Sequence, residues 1–312
     1  MSRYLLSLAL FFFLLPAADA GAAKIRIVVK TPGGLEQRVY LTRPNLLASD
    51  RPIVFVMHGM KRNADEYRDQ WHELAKKHEF LLVVPEFNER HFPGAEAYNL
   101  GNLFDPRGKV RPRADWSFSA IEPIFDEVRR RYGMTARGYA LYGHSAGAQF
   151  VHRFLYHVPN ARVTRAVAAN AGWYTMPVFN VEYPYGLRNS VVSSMDLAAA
   201  LQLPVTVLLG DQDIDPQHRS LNREPEALLQ GAHRFERGHA FFESAADAAG
   251  RLGVPFGWRL AVVPGADHDN RLMAPAAIPL LLEGSAPPRP RSIDQTTPET
   301  ETLPDRLPVT GR

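Results

Sequence analysis

The 312-residue chain contains no cysteine. That absence excludes a disulfide-stapled scaffold, a thiol nucleophile, cysteine-ligated zinc and iron–sulfur chemistry. Charge of one sign is also scarce: 36 Lys and Arg stand against 33 Asp and Glu, a formal surplus of +3. So small a surplus argues against nucleic acid as a partner, which needs a concentrated basic stripe. The local clusters Arg107-Gly-Lys109-Val-Arg111-Pro-Arg113 and Arg129 to Arg131 read instead as a solvated loop and the polar end of a helix. The chain lacks an apolar run long enough to span a bilayer, which takes about 20 residues as a helix. With 46% hydrophobic and 22% charged residues, it is not disordered throughout and not a collagen-like fibre.

The two ends read differently from the middle. Arg3 precedes an apolar run from Tyr4 to Leu15, and Ala18-Asp19-Ala20 follows Pro16. A positive segment, an apolar segment and a small-x-small site together predict a secretory signal peptide over residues 1–20, cleaved after Ala20. A secreted or periplasmic product is the expectation. Residues 284–312 are rich in Pro, Thr and charge and poor in large apolar side chains. They cannot offset their own ordering entropy and are expected to form a disordered tail.

Between those ends, residues 21–283, apolar runs alternate with helix-like stretches. Lys24–Lys30 and Glu36–Thr42 flank Thr-Pro-Gly-Gly and predict an antiparallel hairpin. PIVFVM at 52–57 and FLLVVP at 80–85 are unbroken apolar runs, as expected for strands buried on both faces. Further strands are predicted at Tyr139–Tyr142, Arg165–Asn170, Pro204–Leu209 and Trp258–Val263. Helices are predicted at Ala64–His78, Ser117–Tyr132, Ala146–His157 and around His239–Leu252, and Ser119 and Glu122 have capping-box spacing. The pattern implies one α/β domain: a mostly parallel sheet with an antiparallel N-terminal hairpin and helices on both faces.

Gly143-His144-Ser145-Ala146-Gly147 falls where a strand gives way to a helix. G-x-S-x-G in that setting is the pattern of a sharp turn that presents a serine hydroxyl, and small residues on either side let strand and helix approach. A serine needs a general base, and the base needs an acid to hold its tautomer. Downstream, strand Pro204–Leu209 runs into Gly210-Asp211-Gln212-Asp213-Ile214-Asp215. Strand Trp258–Val263 runs into Pro264-Gly265-Ala266-Asp267-His268. Each loop offers the required residue type in the order Ser, Asp, His, though any of Asp211, Asp213 and Asp215 could be the acid.

With these three loops in their order and spacing, the chain from about Lys24 to Glu283 resembles the α/β-hydrolases, and is similar to exported bacterial esterases of the polyhydroxybutyrate-depolymerase-like branch. The resemblance implies the α/β-hydrolase fold, with Ser145 as nucleophile, His268 as general base and Asp213, the fourth residue of G-x-x-D, as acid. It also implies an oxyanion hole from the backbone amides of Ala146 and of Met60 in His58-Gly59-Met60, with Gly59 the competitor. His58 would hold that loop in shape. The segment 173–202 falls where such proteins often insert a cap. Its aromatics, Trp173 and Tyr174 first, are expected to line a substrate pocket, the alternative being satellite core.

Asp211-x-Asp213-x-Asp215 lacks the glycine and glutamate of a calcium loop, so no metal and no cofactor is expected. The expected activity is hydrolysis of a small or polymeric carboxylic ester, with a serine peptidase or amidase as the alternative. A non-catalytic binding protein on the same fold is the remoter reading.

Overall fold

The computed structural model describes residues 22–45 and 47–284. The signal-peptide reading of residues 1–20 and the tail reading of 284–312, Gly284 excepted, lie outside the described residues. The eight strands are β1 (Ala23–Lys30), β2 (Glu36–Arg43), β3 (Ile53–Met57), β4 (Leu81–Pro85), β5 (Tyr139–His144), β6 (Val163–Ala169), β7 (Val205–Gly210) and β8 (Arg259–Val263). The helices are α1 (Ala64–His78), α2 (Gly94–Ala97), α3 (Ile121–Tyr132), α4 (Ala146–His157), α5 (Ser194–Gln202), α6 (Pro225–Leu228), α7 (Arg234–Leu252) and α8 (Asn270–Leu282).

The strands form one sheet in the order β1-β2-β4-β3-β5-β6-β7-β8. β1 and β2 pair antiparallel, β2 meets β4 antiparallel, and the rest is parallel. This is the mixed α/β-hydrolase sheet expected above. The unbroken apolar runs follow from burial on both sides. In β3, Ile53, Phe55 and Met57 join the cluster under α3, α4, α5 and α7, while Val54 and Val56 point to the cluster under α1 and α8. Leu81 and Val83 of β4 face the first cluster, and Leu82 and Val84 the second.

The parallel register decides where chemistry can occur. Met57 lies beside Gly143, His144 beside Ala169, and Gly210 beside Val263. The loops leaving β3, β5, β6, β7 and β8 therefore converge at one edge of the sheet, the carboxyl end where open α/β sheets hold their ligands.

Three local readings need correction. The Ser119/Glu122 capping box does not form: α3 has no side-chain cap, and Ser119 donates its hydroxyl to the Arg113 carbonyl. Glu122 is drawn away by stronger partners, since Arg162 donates to it at 2.6 Å and the Tyr139 hydroxyl at 2.7 Å. Helix α7 begins at Arg234, five residues before the expected His239, with the His233 side chain accepting from the Glu236 amide. α5 and α8 were not anticipated.

Candidate active site

Ser145 stands between β5 and α4 with φ 58° and ψ −119°, a backbone conformation that L-residues avoid. Its amide donates to the Ala169 carbonyl at 3.0 Å, so the turn is tied to the neighbouring strand. Two glycines permit it. A Cβ on Gly143 would overlap the Gly147 carbonyl, and one on Gly147 would overlap the Met57 carbonyl of β3. The sharp turn therefore depends on both flanking glycines.

The Ser145 hydroxyl lies 3.0 Å from His268 Nε2. His268 Nδ1 lies 2.7 Å from Asp213 Oδ2. A carboxylate can only accept, so Nδ1 carries the proton and donates it, and Nε2 is left to accept from the serine. Asp213 is 4% exposed. Burial pushes its carboxyl up, but the hydrogen bond and charge of His268 and the charge of Arg234 outweigh this and hold it below the usual range. The other two aspartates of the loop do different work. Asp211 accepts from the Gly265 amide at 2.7 Å, and Asp215 from the Gln217 amide at 2.8 Å.

Several residues that the sequence reading passed over hold this arrangement. Arg234, 1% exposed, donates from Nη1 to the second oxygen of Asp213 at 3.1 Å. Asn170, fully buried with φ 49°, accepts from the Gly210 amide at 2.8 Å and donates to the Asp267 carbonyl at 3.0 Å. One amide side chain thus ties the Asp213 loop to the His268 loop. Asn tolerates the left-handed backbone there, which is the signal in the sequence that could have pointed to it.

On the β3 side, His58 is sealed from solvent. The Phe87 amide donates to its Nε2 at 3.0 Å, so its Nδ1–H donates to the Gly59 carbonyl at 3.0 Å. The Tyr98 hydroxyl donates to the His58 carbonyl at 2.7 Å, and the Tyr98 ring stacks on the imidazole. Burial pushes His58 down to about 4, the Gly59 bond opposing it. The loop is thus braced by a neutral imidazole. It passes close to the serine, since a Cβ on Gly59 would touch Ser145 Cβ at 3.8 Å. The Tyr67 hydroxyl lies against the Gly59 backbone, whereas the Met60 amide has no protein acceptor among the described residues. Ala146 opens α4, where first-turn amides have no partner within the helix.

A cavity of about 640 Å³ opens over Ser145 and His268. Its walls include Met60, Tyr67, His144, His218, Ser220 and Asp269. Trp173 and Tyr174 are not among them, and no residue of 173–202 reaches the cavity. The two expected pocket aromatics are instead buried against protein. Trp173 lies under the Arg153 guanidinium at 4.2 Å and against Tyr185 at 4.6 Å. Tyr174 stacks on Phe241 at 4.2 Å, its backbone gripped by Gln230. Arg153 is fully buried with no carboxylate partner among the described residues, and an aromatic face is what such a cation can use. Residues 218–220 supply one wall of the cavity.

Comparison with solved structures places this geometry. Poly(aspartic acid) hydrolase-1 from Sphingomonas sp. KT-1 is 42% identical, with a TM-score of 0.79 over 84% of this chain and 99% of that one. LpqC, a poly(3-hydroxybutyrate) depolymerase from Bordetella parapertussis, is 37% identical, with a TM-score of 0.80 over 86% of this chain and 92% of that one. The chain belongs to the α/β-hydrolase superfamily. FphF, a fluorophosphonate-binding serine hydrolase of Staphylococcus aureus, shares this α/β-hydrolase fold at 16% identity and a TM-score of 0.52, over 83% of this chain and 96% of that one. No protein-family model and no curated protein sequence matches the chain.

Among the described residues of this α/β-hydrolase, no cluster of three or more His, Asp or Glu is placed to hold a metal ion. Nor is any described helix long and apolar enough to cross a membrane.

Proposed function

We propose that the protein is a serine hydrolase that cleaves carboxylic esters of a polymeric or oligomeric substrate. The observation that carries this is the continuous hydrogen-bonded line from Ser145 through His268 to Asp213, at 3.0 and 2.7 Å. Ser145 attacks the carbonyl carbon while His268 Nε2 takes its proton. Asp213 holds the imidazole in the accepting tautomer and stabilises the imidazolium that forms. The amides of Met60 and Ala146 receive the oxyanion, the second helped by the positive end of α4. His268 then gives its proton to the leaving alcohol, and water releases the acyl group by the same steps in reverse. The depolymerase relative supports an ester as the bond cleaved.

A specific observation favours a second reading, an amide bond in an anionic polymer. The more identical relative hydrolyses poly(aspartic acid), a polyamide bearing carboxylates. The cavity mouth carries Lys61, Arg219 and Arg271 against Glu66 and Asp269, and Lys61 and Arg219 have no ion pair among the described residues. The N-terminal segment further supports export, which sequencing the N-terminus of the exported protein would test.

Hydrolysis of p-nitrophenyl esters of increasing acyl length, beside matched anilides, separates the two readings. Ser145→Ala should lower kcat by about a millionfold, as in other triads. A Ser145→Ala variant that keeps more than a hundredth of the rate would overturn both.

A further inference from the structure

His218 faces the cavity beside His268 and His144, and its hydrogen bonds determine where its proton sits. The Ser220 amide donates to His218 Nδ1 at 3.3 Å, and Arg234 Nη2 lies 3.2 Å from the same nitrogen. A backbone amide and a guanidinium can only donate. Nδ1 is therefore an acceptor, and the proton of the neutral ring is on Nε2. The Ser220 hydroxyl, which itself accepts from Arg234 at 2.9 Å, closes the set at 3.0 Å from Nδ1. His218 Nε2 has no protein partner among the described residues and is not among the sealed side-chain atoms. The ring lines the cavity and meets the His268 ring edge-on, centroids 5.5 Å apart.

We propose that His218 is a substrate-binding residue: a neutral imidazole that donates its Nε2–H to a carbonyl on the leaving-group side of the scissile bond. The side follows from its neighbour, because His268 is the group that protonates the departing oxygen, and His218 stands next to it. The role is binding and not proton transfer. Protonating Nδ1 would set an imidazolium against Arg234 and remove the acceptor of the Ser220 amide. Burial and the charges of Arg234 and His268 accordingly push His218 below its ordinary value, Asp213 and Asp215 opposing. Arg234 has two tasks here, since Nη1 holds Asp213 while Nη2 orients the substrate donor. The substrate class that fits has a repeat unit whose leaving alcohol bears its own carbonyl, as a hydroxyalkanoate does. The inference rests on the ester reading above.

Two acetate esters that differ only in that carbonyl, compared by acetate release, test it: methyl 3-acetoxybutanoate and 4-methoxybutan-2-yl acetate. The wild-type protein should prefer the first in kcat/KM by about tenfold, the worth of one hydrogen bond to a neutral acceptor. His218→Ala should abolish the preference, chiefly through KM. His218→Gln, which keeps an N–H donor, should retain part of it. A preference that survives in His218→Ala, or an equal loss on both esters, overturns the proposal while leaving the hydrolase reading intact. Wild-type protein that cleaves neither ester, yet cleaves anilides, overturns the ester reading and this proposal with it.

Discussion

Replacing Asp213 by Asn tests the site more sharply than deleting it, because Arg234 dictates how the new amide must sit. The guanidinium is buried and donates to one oxygen of residue 213 at 3.1 Å. It cannot accept, so the Asn carbonyl must face Arg234 and the Asn NH₂ must face His268 Nδ1. That nitrogen is then forced to accept, and the imidazole proton moves to Nε2, where it points at the Ser145 oxygen 3.0 Å away. The base is blocked with almost no change of shape. The expected loss in kcat is about four orders of magnitude, roughly 5 kcal/mol of transition-state stabilisation. Asp213→Ala should be no slower, although it leaves Arg234 as an unpaired buried cation and should cost about 3–5 kcal/mol of stability. Steady-state turnover of a p-nitrophenyl ester, with melting curves of both variants, measures both quantities. An Asn variant within tenfold of the wild-type rate would refute the tautomer argument.

Two predictions concern stability. Ser145→Gly should remove the strain stored at φ 58°, of order 1–3 kcal/mol, less the entropy that glycine adds to the unfolded chain. The inactive Gly variant should therefore melt about 2–4 °C above the equally inactive Ser145→Ala, and calorimetry showing no difference would count against a strained serine. Acid should also weaken the fold through its buried histidines. Burial pushes His58 and His157 down to about 4, and His144 and His152 well below their ordinary value, so all four stay neutral in the folded chain. Unfolded, they bind protons near pH 6.5, so between that pH and about 4 the unfolded state takes up more protons and stability falls as pH falls. His58 and His157 should each withdraw about 3 kcal/mol by pH 4. Asp213, held low in the folded state, adds its own loss only below its unfolded value of about 3.9. The urea midpoint should drop steadily from about pH 7 to pH 4.5, and an unchanged midpoint would contradict neutral burial of these histidines.

What could be read from sequence, and what could not, follows a physical line. Strands β3, β4, β5 and β7 were legible because burial on both faces leaves an unbroken apolar run, and the more exposed edge strand β8 keeps one at Leu260–Val263. The loops bearing Ser145, Asp213 and His268 were legible because each follows such a run at the carboxyl end of a strand. Local pattern carries that information. Helix α8 was not legible, because Pro275 and Pro279 lie inside it and proline ordinarily marks where a helix stops. Tertiary packing of Met273, Ala277 and Leu281 against the sheet overrides that local signal.

The aromatic segment failed for a different reason. Composition says that Trp173 and Tyr174 must be covered by something, but the covering group can be substrate or protein. Here it is protein, because Arg153, on the preceding helix α4, is buried with no carboxylate partner among the described residues and lies on Trp173. The same long-range logic hid Arg234. An arginine at the start of a helix reads as surface, and nothing within its own segment reveals that Asp213, His218 and Ser220 wait 14 to 21 residues earlier. The residues that do the chemistry sit on loops with local signatures. Those that orient them are recognisable only once the chain has folded, since their partners are set by the convergence of strand ends and not by spacing.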